Sequence, residues 1–297
     1  MKSSDYKIIA DPAYGYLRLD PIPSPEEVAR FYEEEFYTTF KPQIQDSSLE
    51  VQTAQKEFFD WRWSDILRVI NRYFKEADHS DLSLFDLGCG FSQALLFFRE
   101  QGFEVAGMEV APEAVEYGRE RGIDVVQGGA DRIPDLKGRR HDVVLMMDVL
   151  EHLREPAQTL AAVRDHLLNP KGLLVLDVPN DFNEFQLAAD ELLDLGQWWV
   201  VPPNHINYFS PESLKRLVSE CGYGSFYCES SFPLEMFLLM GDSYVGNPEL
   251  GSICHSRRVA FERSLRQTGR EEDLHRFYQA LAEINLGRQT VLFCYPE

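Results

Sequence analysis

Residues 84–90 read Leu-Phe-Asp-Leu-Gly-Cys-Gly. An apolar strand runs into an acid and two closely spaced glycines, and an apolar helix from Ala94 to Phe98 follows. A glycine turn between strand and helix lets a ligand approach the backbone where a Cβ would block it. The order predicts a small-molecule site at the carboxyl edge of a parallel sheet. A dinucleotide site of the G-x-G-x-x-G kind wants a third glycine for close helix packing, and Gln93 stands in that place. Asp86, two residues before the first glycine, points away from that class.

The next elements arrive in a fixed order. Residues 102–109, Gly-Phe-Glu-Val-Ala-Gly-Met-Glu, read as a second short strand ending in an acid. Glu109 lies 19 residues after Gly90, where doubly wound folds place a ribose-binding carboxylate. Pro112 opens a helix at a position that needs no N–H donor. Ile123 to Val126 is a third strand, followed by the loop Gly129-Ala130-Asp131-Arg132-Ile133-Pro134. Residues 141–153 run His-Asp-Val-Val-Leu-Met-Met-Asp-Val-Leu-Glu-His-Leu, a fourth strand with a V-L-E-H-L continuation. Residues 168–180 supply a fifth strand behind a Pro-Lys-Gly entry.

This series, starting from D-x-G-x-G at Asp86, Gly88 and Gly90, resembles the class I S-adenosylmethionine-dependent methyltransferases. The resemblance implies an α/β, Rossmann-like sheet of seven strands, the last strand antiparallel between the fifth and the sixth. Gly224 to Ser230 would be the sixth strand and Arg288 to Tyr295 the last. It implies S-adenosyl-L-methionine as cofactor, with Asp86 and the amides around Gly88 and Gly90 on its amino-acid part. Glu109, with Val110 beside it, would bind the ribose. Asp131, with Ala130, would meet the adenine, and Asp148 would line the methionine end. Taken alone, each acid could be a helix cap or a surface carboxylate. In the family a third glycine is usual where this chain has Ser92; cofactor binding is expected to survive with altered packing.

Composition suits a soluble enzyme. The chain has 297 residues, 44% of them hydrophobic, enough for one large domain with additions. No apolar run approaches the roughly 20 residues that span a bilayer, and the start lacks the apolar core of a signal peptide. A cytoplasmic protein without a membrane partner is expected. The five cysteines form no C-x-x-C pair, so no zinc ribbon or disulfide framework is indicated. The net charge of −20 repels phosphate backbones, which makes nucleic acid a poor substrate.

The chain divides by its signals into an N-terminal extension (1–50), a core (51–231 and 288–297) and a mostly helical insertion (232–287). Within the extension, Ser24-Pro25-Glu26-Glu27 is a capping box that starts a helix through about Phe36. Gln52 to Lys75 reads as a helix whose apolar residues pack against the sheet. A second, shorter insertion, 181–204, carries a helical segment (185–195) and Trp198-Trp199 before two prolines. The stretch from Gly15 to Glu27 and the phrase H-x-N-x-F-S-P-E-S-L from His205 resemble segments of a small-molecule branch that includes sugar-modifying enzymes. In that branch a zinc ribbon usually precedes the first of these segments. No cysteine precedes Cys89 here, so no metal is expected.

At the acceptor end, His152 and His205 are the candidate bases, since imidazole titrates near neutral pH. Either could instead be a packing histidine of its motif. Trp198 and Trp199 suggest a lid or substrate wall, with an interface patch as the competing role. Asn207 and Tyr208 could contact substrate or fix their loop. The reading is methyl transfer to a small-molecule acceptor, at oxygen of a sugar, nucleotide-sugar or secondary metabolite. Its rivals are a catalytically inactive partner protein and an NAD-linked oxidoreductase. Oligomeric state is not legible.

Overall fold

A computed structural model describes residues 6–31, 55–75, 77–136 and 138–297. Seven strands form the central sheet: β3 (Ser83–Leu87), β4 (Glu104–Glu109), β5 (Asp124–Gln127), β6 (His141–Met147), β7 (Leu168–Pro179), β9 (Tyr223–Ser230) and β10 (Gln289–Pro296), in the order β5-β4-β3-β6-β7-β10-β9. The pairs from β5 to β7 are parallel, and β10 runs antiparallel to both β7 and β9. The order reverses between β3 and β6, so the ligand crevice belongs beside the carboxyl ends of those two strands.

Strand alternation divides the core into two layers. Phe85, Leu87, Val144, Met146, Leu174 and Leu176 face one side, under α5 (Pro156–Ala162) and α7 (Pro211–Glu220). Leu84, Val143, Leu145, Leu173 and Val175 face the other, with α2 (Lys56–Phe74), α3 (Gln93–Glu100) and α4 (Pro112–Glu120). Helix α2 turns Phe59, Trp63, Ile66, Val69 and Ile70 inward, as its three- and four-residue spacing requires. The same alternation puts Asp86 and Asp177 on the α2 side of the sheet, at its ligand end. The capping box at Ser24 forms and opens α1 (Pro25–Arg30). The remainder of the helix expected through Phe36 and the start of the 52–75 helix lie outside the described residues.

One sheet was not legible beforehand. β1 (Lys7–Ala10) and β2 (Leu17–Asp20) form a hairpin, and β2 also pairs with β8 (Asn207–Tyr208), matching Leu17 with Tyr208 and Arg18 with Asn207. The N-terminal segment and the His205 segment, which the sequence offers as separate motifs, are thus one structural unit. The shorter insertion contributes α6 (Glu184–Leu193). Residues 232–287 hold α8 (Glu235–Leu239), α9 (Pro248–Gln267) and α10 (Glu271–Glu283) around a small core of Phe232, Phe237, Cys254, Leu274, Tyr278 and Leu281. Buried His275 lies 3.4 Å from Asp65 of α2 and 3.3 Å from Glu229 of β9, and Arg266 pairs with Asp65, which fastens the helices to the core.

Ser92 shows how the chain manages without a third glycine. The residue is fully buried at φ 57, a left-handed conformation that costs a side chain about 1 kcal/mol. Room for its hydroxymethyl comes from α4. A Cβ at Gly118 would lie 2.6 Å from Ser92 Oγ and 2.8 Å from Val125 Cγ2. The missing glycine is compensated across the helix pair. Gly118→Ala should therefore destabilise the fold by about 1–3 kcal/mol, and adding Ser92→Gly should recover part of that loss. Urea denaturation of the two single variants and the double variant checks this; simple additivity would refute the coupling.

Candidate active site

The β3–α3 turn is built for close approach. Gly88 (φ 81) and Gly90 (φ 49) both take conformations that side chains resist. A Cβ on Gly88 would meet Val149 Cγ2 at 2.6 Å, whereas nothing lies within 4 Å of one on Gly90. Asp86 stands behind them, buried, with Oδ1 making no hydrogen bond. Burial pushes its carboxyl up to about 7, the Glu109 charge adds to the rise, and Arg62 opposes it. An unpartnered buried acceptor beside a turn open to solvent fits a ligand that brings a cationic donor and lies against the backbone.

Glu109 closes the next strand. Its Oε2 accepts from the Gly90 amide at 2.8 Å, and its Oε1 accepts from the amides of Val110 (2.8 Å) and Ala111 (2.9 Å). An ionised carboxylate offers roughly four acceptor positions, so capacity remains for a ligand hydroxyl. Farther along the edge, Asp131 and Val110 converge over Gly129. A Cβ there would lie 2.8 Å from Asp131 Oδ1 and 3.7 Å from Val110 Cγ1. Val110 is 61% exposed, an apolar face beside a carboxylate. That pairing suits the face and amino edge of a purine.

Asp148 sits at φ 56 at the end of β6. Its Oδ2 accepts from Arg62 Nη2 at 3.0 Å and its Oδ1 from Gln289 Nε2 at 2.9 Å. The same Arg62 nitrogen donates to Asp177 Oδ2 at 2.6 Å. Burial and the Asp148 charge raise Asp177, and Arg62 opposes them. Arg62, Asp177 and Gln289 escaped the sequence reading. Arg62 lies 86 and 115 residues from its two partners, on a helix whose periodicity announces only core packing. A lone aspartate in an apolar strand, Asp177, was the available hint.

His152 and His205 are brought together, with ring centroids 5.0 Å apart at 74°. The Ile206 amide donates to the Glu151 carbonyl at 2.8 Å, joining the two loops. His152 Nδ1 lies 2.7 Å from the Asn204 carbonyl oxygen. A carbonyl can only accept, so Nδ1 carries the proton and Nε2 the lone pair. Burial lowers His152, opposed by that hydrogen bond, and lowers His205 further, with His152 and Arg288 adding. Both rings are neutral at pH 7. Of the two roles open to Asn207 and Tyr208, the geometry gives loop fixing. Asn207 Nδ2 donates to the carbonyls of Leu150 (3.1 Å) and Leu153 (2.7 Å), and Tyr208 Oη donates to the His205 carbonyl (3.1 Å). Both side chains are buried and take up these backbone contacts. Trp199 is buried edge-on against Phe182, and Trp198 is half-buried against Trp199, so only Trp198 presents surface for a wall.

A profile described as a methyltransferase domain matches residues 58–224, from α2 through the start of β9. The chain belongs to this methyltransferase family. The ubiquinone biosynthesis O-methyltransferase of Cereibacter sphaeroides is 29% identical over 153 residues, 48% of this chain and 60% of that protein. Its counterpart in Rickettsia canadensis is 24% identical over 49% of this chain and 64% of that protein. The tRNA U34 carboxymethyltransferase of Tolumonas auensis is 27% identical over 55% of this chain and 49% of that one. The chain thus spans less than two thirds of those relatives' length. Among solved structures, the plantazolicin methyltransferase BpumL in complex with SAH aligns with a TM-score of 0.53 and 14% identity, covering 91% of this chain and 94% of that one. BamL, with a triazolic desmethylPZN analog and SAH, aligns at 0.52 and 15% over 90% and 94%. Identities this low carry the fold alone.

The buried Asp86, with Oδ1 unpartnered, gives a pH dependence. Unfolded, the carboxyl ionises near pH 3.9; folded, near 7. Between those values the native state holds the extra proton, so stability falls as pH rises through the window. Ligand-free Asp86→Asn should be more stable than the parent at pH 8, by on the order of 2–4 kcal/mol, and similar to it near pH 4. Urea denaturation at both pH values tests this, and an unchanged difference would refute it.

Proposed function

We propose that this methyltransferase transfers a methyl group from S-adenosylmethionine to an oxygen of a small polar acceptor such as a sugar, a nucleotide-sugar or a related metabolite. One observation carries the donor half of the reading. Asp86, the Gly88–Gly90 turn, Glu109 and the Val110–Asp131 pair lie in sequence along one sheet edge, each with the chemistry of one portion of that nucleoside. Asp86 and the turn amides would hold the amino-acid part, Glu109 the ribose, and Asp131 with Val110 and Ala130 the adenine. Asp148 would face the methionine end. The bound cofactor supplies a methyl on a sulfonium, and the chain's task is alignment and exclusion of water, worth roughly 7–11 kcal/mol in well-oriented systems.

The acceptor half rests on position. His152 and His205 lie ring to ring with the Asp148 charge acting on His152, and their neutral rings offer lone pairs to activate an acceptor hydroxyl. The net charge of −20 supports a small molecule over an RNA. Among the described residues no helix is long and apolar enough to cross a membrane, which is consistent with an acceptor drawn from the cytoplasm.

Calorimetry of the purified chain with S-adenosylhomocysteine should show binding, and Glu109→Ala should weaken it about 10- to 100-fold through lost charge-assisted hydrogen bonds. Labelled methyl from the cofactor should then enter small molecules of a cell extract, stable to base as an ether is. No affinity for the nucleoside, or label found only in RNA, would overturn the proposal.

A further inference from the structure

Two clusters of potential metal ligands stand out among the described residues, and they differ in one respect. In the first, Asp65, Glu271 and His275, the carboxylates are committed: Arg266 donates to both oxygens of Asp65 and to Glu271 Oε1. In the second, Glu151, His152 and His205, no cation is present to answer the donors. One carboxylate oxygen and one nitrogen from each ring lie within 4.8 Å of one another. Glu151 is 2% exposed, and its Oε2 has no hydrogen-bond partner. His205 Nδ1 is likewise buried and without a partner. Leaving two buried polar atoms unanswered in one place costs about 1–3 kcal/mol each, which a cation would offset.

We propose that Glu151, His152 and His205 form a mononuclear divalent-cation site of the zinc-like class at the acceptor edge. The donor set is two imidazole nitrogens and one carboxylate oxygen. Imidazole suits zinc, cobalt and manganese more than magnesium, and three protein ligands leave positions open for a substrate oxygen. His152 is set up as a ligand in detail. Its Nδ1–H donates to the Asn204 carbonyl at 2.7 Å, which fixes the ring and directs the Nε2 lone pair, and Nε2 lies 3.8 Å from Glu151 Oε1. His205 is held by its own backbone, through its amide to Val201 and its carbonyl to Tyr208. The expectation of a metal-free chain came from missing cysteines, which speaks only to a ribbon.

The site deepens the proposed function and rests on it for its role. An acceptor hydroxyl bound to the ion would lose its proton to solvent. The alkoxide oxygen would then form the new C–O bond as the C–S bond to the donor breaks. The two histidines would act as ligands, and the acceptor would need an oxygen free to coordinate.

The test uses the full chain stripped with a chelator and titrated calorimetrically with Zn²⁺, Mn²⁺ and Mg²⁺, with Co²⁺ followed by its visible absorption. We expect one Zn²⁺ or Co²⁺ per chain, Mg²⁺ binding far more weakly, and Glu151→Gln and His205→Gln each weakening Zn²⁺ at least about 100-fold. S-adenosylhomocysteine titrations on the same variants should match the parent, showing that the fold and donor site persist. Zn²⁺ binding unchanged in both variants, or below half an ion per chain in the parent, would overturn the site. Absence of nucleoside binding in the parent would overturn the methyl-transfer reading while leaving the ion result standing.

Discussion

The ligand edge depends on one guanidinium. Arg62 reaches from α2 to Asp177 at the end of β7 and to Asp148 just past β6, and it does so from within the apolar layer that holds α2 on the sheet. Without it, Asp177 would be a buried carboxylate with no counter-charge, a loss of about 3–5 kcal/mol in comparable pairs. With it, two strands and a helix are fixed in mutual position where a ligand must lie. The positive charge also tempers Asp86, whose shift it opposes. Alignment of donor and acceptor is the main service such a fold can render, and Arg62 links the helical layer to both.

A second constraint fixes the opposite wall. His205 owes its position to backbone hydrogen bonds that begin in the N-terminal hairpin. β2 pairs with β8, the Leu19 amide donates to Ile206 at 2.9 Å, and the Ile206 amide donates in turn to Glu151. Asn207 then ties the same segment to the carbonyls of Leu150 and Leu153. Two loops some 50 residues apart are held rigid by main-chain contacts, leaving their histidine rings available for chemistry. An N-terminal segment far from the glycine turn therefore serves the site by position.

What could be read from the sequence follows from the range of the forces involved. The successive strands, the β3 turn and Glu109 announce themselves through local signals (apolar runs, glycines, a capping proline), whereas the seven-stranded order and the antiparallel last strand came only from the family resemblance. Ser92 was visible as a departure, but its compensation by Gly118 was not, because nothing local says that an α4 glycine faces the turn. Arg62, Gln289 and the β2–β8 pairing were hidden for the same reason. Each acts through a partner 86 or more residues away, where periodicity carries no information. Asn207 and Tyr208 stayed open between substrate contact and loop fixing because polar and aromatic residues beside a ligand edge look alike from the sequence, whether they face the ligand or the backbone.

The edge is rich in acids, and their surroundings sort them by task. Glu109 is half-exposed and engaged by three amides. Those contacts hold the carboxylate in place and leave it capacity for a further hydrogen bond. Asp86 and Glu151 are buried and lack a full complement of donors, so burial raises both. A carboxyl in that condition gains most from an arriving cation, because the ion answers desolvation and missing hydrogen bonds together. One such group sits beside the glycine turn, where the amino-acid part of the proposed donor would bring an ammonium; the other lies together with two imidazoles. A chain carrying 49 acids against 29 basic residues already favours the approach of cations. The same physics would recruit the donor's ammonium and the proposed metal ion, and the difference in their ligands, one carboxylate and glycine amides against one carboxylate and two imidazoles, would keep each in its own place.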